Sequence, residues 1–521
     1  MNNKSSLPNH LFLFGLFVLA VSIAYSKFLV SISEILIAIG WLSSGNVLEK
    51  IKLFFKNKTA VLLSSIFALH CIGLLYTSDF NYGIEDIRKK IPLLLFPLFF
   101  STTPPLTKKT FNNLLIAFVS SIVIATVLCF FALLGYFKKE ILQPQDASIF
   151  ISHIRFGLMI SLSISILGFF FKNIKSLFLK FLIPIIIAWL IIFLIIMESA
   201  TGIVCTFSIA LVFTLQQIIT TPNKTHRYLL IFFLLAATIV GANVFNSIAK
   251  NIFEPISVDK NNLVLETAKH NPYTHNQISN ETENGNFIWL YVCEKELSEE
   301  WNKRSSIKYS GKDLRGNELK YTLIRFLTSK DLKKDAKGVN LLSNEEIRAI
   351  ERGTPNFEYM GIFNPAARIK IIVWEFNTYL KGGNPSGHSV VQRLEYWKAA
   401  LNIIKENVLC GVGTGDVETA FSKEYEKVKS PLSKEWRLRS HNQFLAIGTA
   451  LGIMGILLFF ASLFYPLLKH KTNTDILYLT FFIIVFLSFL SEDTLESQTG
   501  ATFYAFFNSL FLFFKKPKES V

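Results

Sequence analysis

Charge is scarce in this chain. Only 17% of its 521 residues are Asp, Glu, Lys or Arg, against 51% hydrophobic, too little polar surface for a soluble domain of this size. Cysteine is scarcer, with five residues and no CxxC spacing. Cys71, Cys129 and Cys205 fall in apolar blocks and read as small buried side chains. Cys293 and Cys410 lie in a polar region, and nothing in the sequence fixes whether they pair. There is no DxD-like pair, no His/Cys cluster at metal-ligand spacing and no internal repeat, so no essential metal or other cofactor is expected. The formal charge of +15 suggests nucleic acid, but the excess sits in short Lys clusters between apolar blocks. That placement sets membrane orientation, and no nucleic-acid partner is expected.

What the chain has is apolar length. Phe alone occurs 50 times, and Phe181 to Met197 and Phe444 to Leu468 contain no charged residue. Runs near 20 apolar residues match the hydrocarbon thickness of a bilayer. The expected fold class is an all-α polytopic membrane protein with about twelve spans, near 9–25, 28–45, 59–76, 90–103, 111–137, 153–171, 176–197, 201–219, 228–247, 441–468, 475–491 and 500–514. The first is read as a retained helix rather than a cleaved signal. The fourth is short and holds Pro92 and Pro97, so it is either a crossing or a re-entrant element.

Charge bias orients these spans. An N-in, C-in arrangement puts Lys50, Lys52, Lys56, Lys58, Lys108, Lys109, Lys172, Lys175, Lys224, Arg227, Lys469, Lys471, Lys515, Lys516 and Lys518 inside. The opposite loops hold mainly Lys27, Lys138, Lys139 and the run Arg88 to Lys90, the one notable exception. Three regions follow: a bundle over 1–248, a large outer polar domain over 249–440, and returning helices over 441–521. Within the outer domain, 271–337 is charged, Asn-rich and without a clear period, and reads as an insertion, partly loop.

The polar chemistry collects on one face. Arg437, Arg439, His441 and Asn442 lead into the tenth span, where a helix N-terminus favours an anion and His suits a general base. Lipid phosphate at the headgroup level with a capping Ser440 or Asn442 explains the same residues. Arg393 and Trp397, four apart, share a helix face that suits a sugar phosphate or an ordinary cation–π pair. The glycines at Gly411, Gly413 and Gly415 resemble a phosphate loop, but no strand–loop–helix unit surrounds them, and a turn is the better reading. Glu492, Asp493 and Glu496 can orient His441 or an Arg, or form a solvated loop. Glu34 and His70 stand inside apolar spans, where helix contacts explain them as well as a proton path does.

The stretch Arg393 to Trp397, the glycine turn Gly411 to Gly415, and Arg439-Ser-His-Asn442 before a span containing Leu451 to Gly455 together resemble the O-antigen ligase and polymerase superfamily. Further likenesses are Ser152 to Gly157 and Glu492 to Gly500. The resemblance implies a C-type glycosyltransferase-like membrane fold in a bacterial inner membrane, with its large loop in the periplasm. It implies metal-independent, inverting transfer of a glycan from undecaprenyl diphosphate to a sugar hydroxyl of lipid A core. In the polymerase alternative, the acceptor is another carrier-linked repeat unit. His441 corresponds to the proposed base and Arg393 to a diphosphate contact, with Arg155, Arg437 and Arg439 in support. Trp397, Asn442 and Glu496 are glycan-side candidates. Many relatives carry Arg where this chain has Ala200, and Arg155 is the expected stand-in. A transporter of lipid-linked sugars, the reading from another class, predicts paired charges near mid-membrane and repeated halves.

Overall fold

A computed structural model describes residues 7–137, 141–172, 174–253, 258–259, 262–279, 281–360, 367–469 and 475–514. Lys138, Lys139, Lys471, Lys515, Lys516 and Lys518 of the charge-bias reading lie outside the described residues. The chain is helical almost throughout, with one two-stranded antiparallel hairpin, Thr282–Glu283 with Asn286–Phe287, among the described residues. Chain contacts divide it into two units, one of 1–138, 147–220 and 392–521, the other of 139–146 and 221–391.

Among the described residues, seven helices are long and apolar enough to cross a membrane, or eight if the pair Lys27–Ser43 and Val47–Lys56, bent by 106°, is one span. Asn9–Ser22 and Ile476–Ser491 are shorter apolar helices. The remainder of the expected twelve therefore rests on short elements. Pro92–Thr102 has 11 residues, about 16 Å of helix against a hydrocarbon core of about 30 Å.

Packing in the first unit follows what lipid permits. Lipid supplies no hydrophobic drive between helices, so close contact and internal hydrogen bonds must hold them. Phenylalanine supplies much of the contact: Phe96 meets Phe506 at 5.5 Å, Phe118 meets Phe507 at 4.7 Å, and Phe100 stacks on Phe514 at 4.3 Å. Buried hydroxyls add bonds, such as Ser161 Oγ to the Gly202 carbonyl at 3.1 Å. Glu34 accepts from Thr502 Oγ1 at 2.8 Å, an ordinary helix–helix contact.

The helix Gln443–Lys469 is broken at Gly452, whose φ of +63° and ψ of −159° are not helical. Its freed backbone groups are taken by the glycine turn. Val412 N–H donates to the Thr449 carbonyl at 2.9 Å, Gly413 N–H to Ala450 at 3.0 Å, and Ile453 N–H to Val408 at 2.8 Å. A side chain at Gly452 would sit 2.4 Å from the Leu409 carbonyl oxygen. The segment Gly411 to Gly415 is thus a packing turn for the returning helix.

In the second unit, 271–337 is partly loop, as expected, but its helices build a core. Glu294–Arg304 and Leu319–Ser329 bury Leu297, Trp301, Leu323, Phe326 and Leu327 in a core of their own. Asn344–Glu351 starts with a capping box between Ser343 and Glu346. Helices of 8 to 11 residues with densely charged outer faces are too short to print a clear period in the sequence.

Candidate functional site

The site is built where the returning helix begins. Asn442 caps Gln443–Lys469, its side-chain oxygen accepting from Leu445 N–H at 3.1 Å while its amide donates to the Leu490 carbonyl at 2.9 Å. His441, just before the cap, has φ +45°. A left-handed non-glycine residue costs of order 1–3 kcal/mol and persists only when its surroundings fix it. They do: Ser440 Oγ donates to the Asn442 carbonyl at 3.0 Å, and Trp397 Nε1 donates to the Ser440 carbonyl at 3.0 Å.

This bend turns the His441 ring onto the loop that follows Ile476–Ser491. Its Nδ1 lies 3.3 Å from Glu492 Oε2 and 3.7 Å from Asp493 Oδ1. The other oxygen of Glu492 accepts from Arg393 at 2.6 Å, so one carboxylate bridges the arginine and the histidine. Arg393 and Trp397 do share a face of Val391–Glu406, reaching Glu492 and the Ser440 carbonyl respectively. The His441 ring also lies 5.7 Å from that of Tyr396 and stays partly exposed.

A second layer lies behind the first. Arg439 is 3.7 Å from Asp493 and 3.5 Å from Glu496, and donates to Tyr82 Oη at 3.2 Å. Glu496 takes Lys90 Nζ at 2.6 Å and the Gln443 amide at 3.1 Å. Lys90, wholly buried, also binds Asp86 at 2.5 Å. Asp86 lies 3.9 Å from His70, whose Nε2 is buried without a hydrogen-bond partner among the described residues. Tyr82, Asp86 and Lys90 form one stripe of the helix Phe80–Lys90. Lys90, expected as a loop charge, is instead the centre of an ion cluster. That removes one residue from the exception to the charge bias.

The electrostatics separate the three acids of the loop. Burial raises the pKa of Glu492, but the bond to His441 and the charge on Arg393 outweigh it, leaving the group below its ordinary value. Glu496 is likewise pushed up by burial and held well below its ordinary value by Lys90 and Arg439. For Asp493 burial wins and the pKa is raised. Burial opposes the charge on Arg439, yet Glu496 and Asp493 keep the guanidinium firmly protonated.

His441, Glu492 and Asp493 place ligand-type atoms within 4.8 Å of one another, close enough to hold a metal ion. Arg393 and Arg439 already neutralise those carboxylates, which suits a hydrogen-bonded histidine better than a cation site.

Other expected residues lie elsewhere. Arg437 is tied to Glu426 at 2.5 Å and to the Leu432 carbonyl at 3.0 Å. Arg155 stands in the first turn of His153–Phe171, with its Nε buried and without a hydrogen bond among the described residues. That turn meets the segment after Ser199, since a side chain at Gly157 would touch Ser199 Oγ at 2.5 Å and Gly202 Cα at 3.3 Å. Arg155 and Ala200 therefore belong to neighbouring helix starts. The sequence reading missed Tyr82, Asp86 and Lys90 as site residues, although their spacing of four was visible.

Residues 356–460, about a fifth of the chain, match the family model described as O-antigen ligase. The matched stretch contains Arg393, the glycine turn, Arg439, His441 and Asn442, while Arg155, Lys90 and the acidic loop lie outside it. No curated protein matches the chain.

Proposed function

Taking as premise that this membrane protein carries an O-antigen ligase domain, we propose that it transfers a glycan from undecaprenyl diphosphate to a sugar hydroxyl of lipid A core, at the periplasmic face of a bacterial inner membrane. The observation that carries the reading is the bridge Arg393–Glu492–His441 at the start of the returning helix.

The chemistry follows from the atoms. With Nδ1 turned toward Glu492, His441 keeps its proton there and presents Nε2 as the base. Nε2 takes the acceptor's hydroxyl proton as that oxygen attacks the anomeric carbon. The bond from carbon to diphosphate oxygen breaks on the opposite side, so the centre inverts and undecaprenyl diphosphate leaves. Arg393 and Arg439 stabilise the growing negative charge as cationic donors beside the base. Glu492 positions the base and settles the proton on it as it becomes imidazolium. Arg155, beside the position where relatives carry an arginine, is a supporting diphosphate contact.

A polymerase would use the same machinery on a different acceptor. The transporter reading loses ground because the pair at the centre of the ion cluster lies at helix ends, Lys90 closing Phe80–Lys90 and Glu496 between Ile476–Ser491 and Gln498–Ser509. The test is reconstitution of the purified full chain in liposomes with carrier-linked glycan and a lipid A core acceptor. Glycan should move to the core without added metal or nucleotide sugar. Movement only onto a second carrier-linked unit would assign the polymerase, and translocation without any new glycosidic bond would overturn transfer altogether.

A further inference from the structure

One turn of helix away from Tyr82, the first unit opens into a groove of about 770 Å³ that the transfer chemistry does not use. Its floor is the segment Tyr76 to Asn81, and its wall is Asn407 to Val412 with the first turns of Val417–Lys427. Within it Tyr76 and Phe80 keep 44% and 54% of their surface exposed, enough to leave a ring face free. Between them stand neutral hydrogen-bonding side chains, Asn81, Asn407 and Thr419.

The lining selects a ligand class by elimination. Lys423 is its single cation, too little for a phosphate or a nucleotide. Its carboxylates are committed to backbone: Asp416 accepts from Ser78 and Asp79 N–H at 2.8 Å each, and Asp79 caps Tyr82 N–H at 3.0 Å. They are thus unsuited to drawing in a cationic ligand. Tyr76 Oη already donates to the Cys410 carbonyl at 2.7 Å and the Asn407 amide to the Ile403 carbonyl at 3.0 Å, but an acyl chain would cover Asn81 and Thr419 with nothing to pair with. A neutral polyhydroxylated ligand pairs with Asn81, Thr419 and the Asn407 side-chain oxygen. Sugar C–H faces pack on aromatic rings, and sugar hydroxyls pair with Asn and Thr. The volume lies within the range of ordinary ligand sites.

We propose that this groove is a saccharide subsite that holds sugars of the transferred glycan or of its acceptor beyond the reacting residue. It rests on the transfer reading for its ligand's identity, though its lining stands independently. Phe80 and Asn81 begin the helix that carries Tyr82, Asp86 and Lys90, so a sugar chain bound there is anchored to the element that packs behind His441.

The test is binding without turnover, using the full chain in nanodiscs. Two probes are titrated: polysaccharide released by mild acid from the strain's carrier lipid, and core oligosaccharide released from its lipopolysaccharide. Binding of the first assigns the groove to the donor, and binding of the second assigns it to the acceptor. Phe80→Ala should weaken binding about tenfold, the worth of one lost ring contact. Thr419→Trp, which fills the groove from an exposed position, should abolish binding. In transfer assays both should raise KM and leave kcat near wild type. His441→Ala should bind either probe as wild type does, so loss of the catalytic reading and loss of the subsite are separately visible. If neither probe binds, or both groove variants bind normally, the rings are interfacial anchors only and the proposal fails.

Discussion

Two buried ionic networks of the same ingredients behave differently in this protein. In the second unit, Glu283 is enclosed on every side. Arg325 reaches it at 2.9 Å and Asn356 at 2.6 Å, while Arg325 stacks on Trp374 at 3.8 Å and Trp374 donates to the Thr282 carbonyl at 2.7 Å. Each group has close partners, and Glu283 itself is almost wholly buried. At the returning helix, contacts around His441 are 3.3 to 3.7 Å, the ring is partly exposed, its backbone is left-handed, and His70 Nε2 and Asp86 Oδ1 have no hydrogen bond among the described residues. A closed network specifies a fold. An open, strained one retains hydrogen-bonding capacity for something else, and that difference makes the second the candidate site.

The contrast can be broken or sharpened by substitution. The largest effect belongs to His441→Ala, which should lower kcat in the liposome assay by about 10²–10⁴ with little change in thermal unfolding. Arg325→Ala should do the reverse, costing about 3–5 kcal/mol because it leaves Glu283 buried and unpaired. Transfer per folded molecule should be unchanged, as thermal unfolding and activity measured on the same sample will tell. If Arg325→Ala instead abolished transfer in folded protein, the two networks would not be separable in function.

Glu492→Gln should lower kcat by about 10²-fold, the scale of a misplaced catalytic group, and shift the pH–rate profile, which a purely structural residue would not do. Gly452→Ala tests the helix break. With φ at +63° and a carbonyl 2.4 Å away, it should cost about 1–3 kcal/mol in unfolding, whereas Gly45→Ala, in open space at φ +77°, should cost less.

The smallest effect is in acid. Glu492 and Glu496 have folded pKa values below 4.5, so their stabilisation is complete above pH 4.5 and is lost as pH falls through the folded values. For Glu283 burial outweighs Arg325 and raises the pKa, so its protonation favours the folded state as pH falls. Glu492→Gln should therefore blunt loss of stability below pH 4.5, and Glu283→Gln should not. Unfolding midpoints across that range decide it.

Much of this was legible in sequence. The apolar blocks showed the membrane bundle, and Arg439, His441 and Asn442 stood out because a cap, a base and a cation precede a long apolar run. Crossing number was less legible, since Pro92–Thr102 and Gln498–Ser509 are apolar yet short. Lys90 was hidden because a lysine beside an apolar block reads as a topology signal until its partner, 406 residues away in Glu496, is known. Trp397 was read by its ring, but its N–H holds the turn before His441. The glycine turn was read as a turn, and what the sequence could not supply was its partner, the break at Gly452.

The most direct measurement compares carrier-linked and core-linked glycan in a deletion host carrying either the wild-type chain or His441→Ala, with membrane levels matched. Long glycan accumulating on the carrier with none on the core is the predicted result for the variant. Normal glycan on the core in a well-expressed His441→Ala strain would contradict the assignment of His441 as the base and, with it, the site described above.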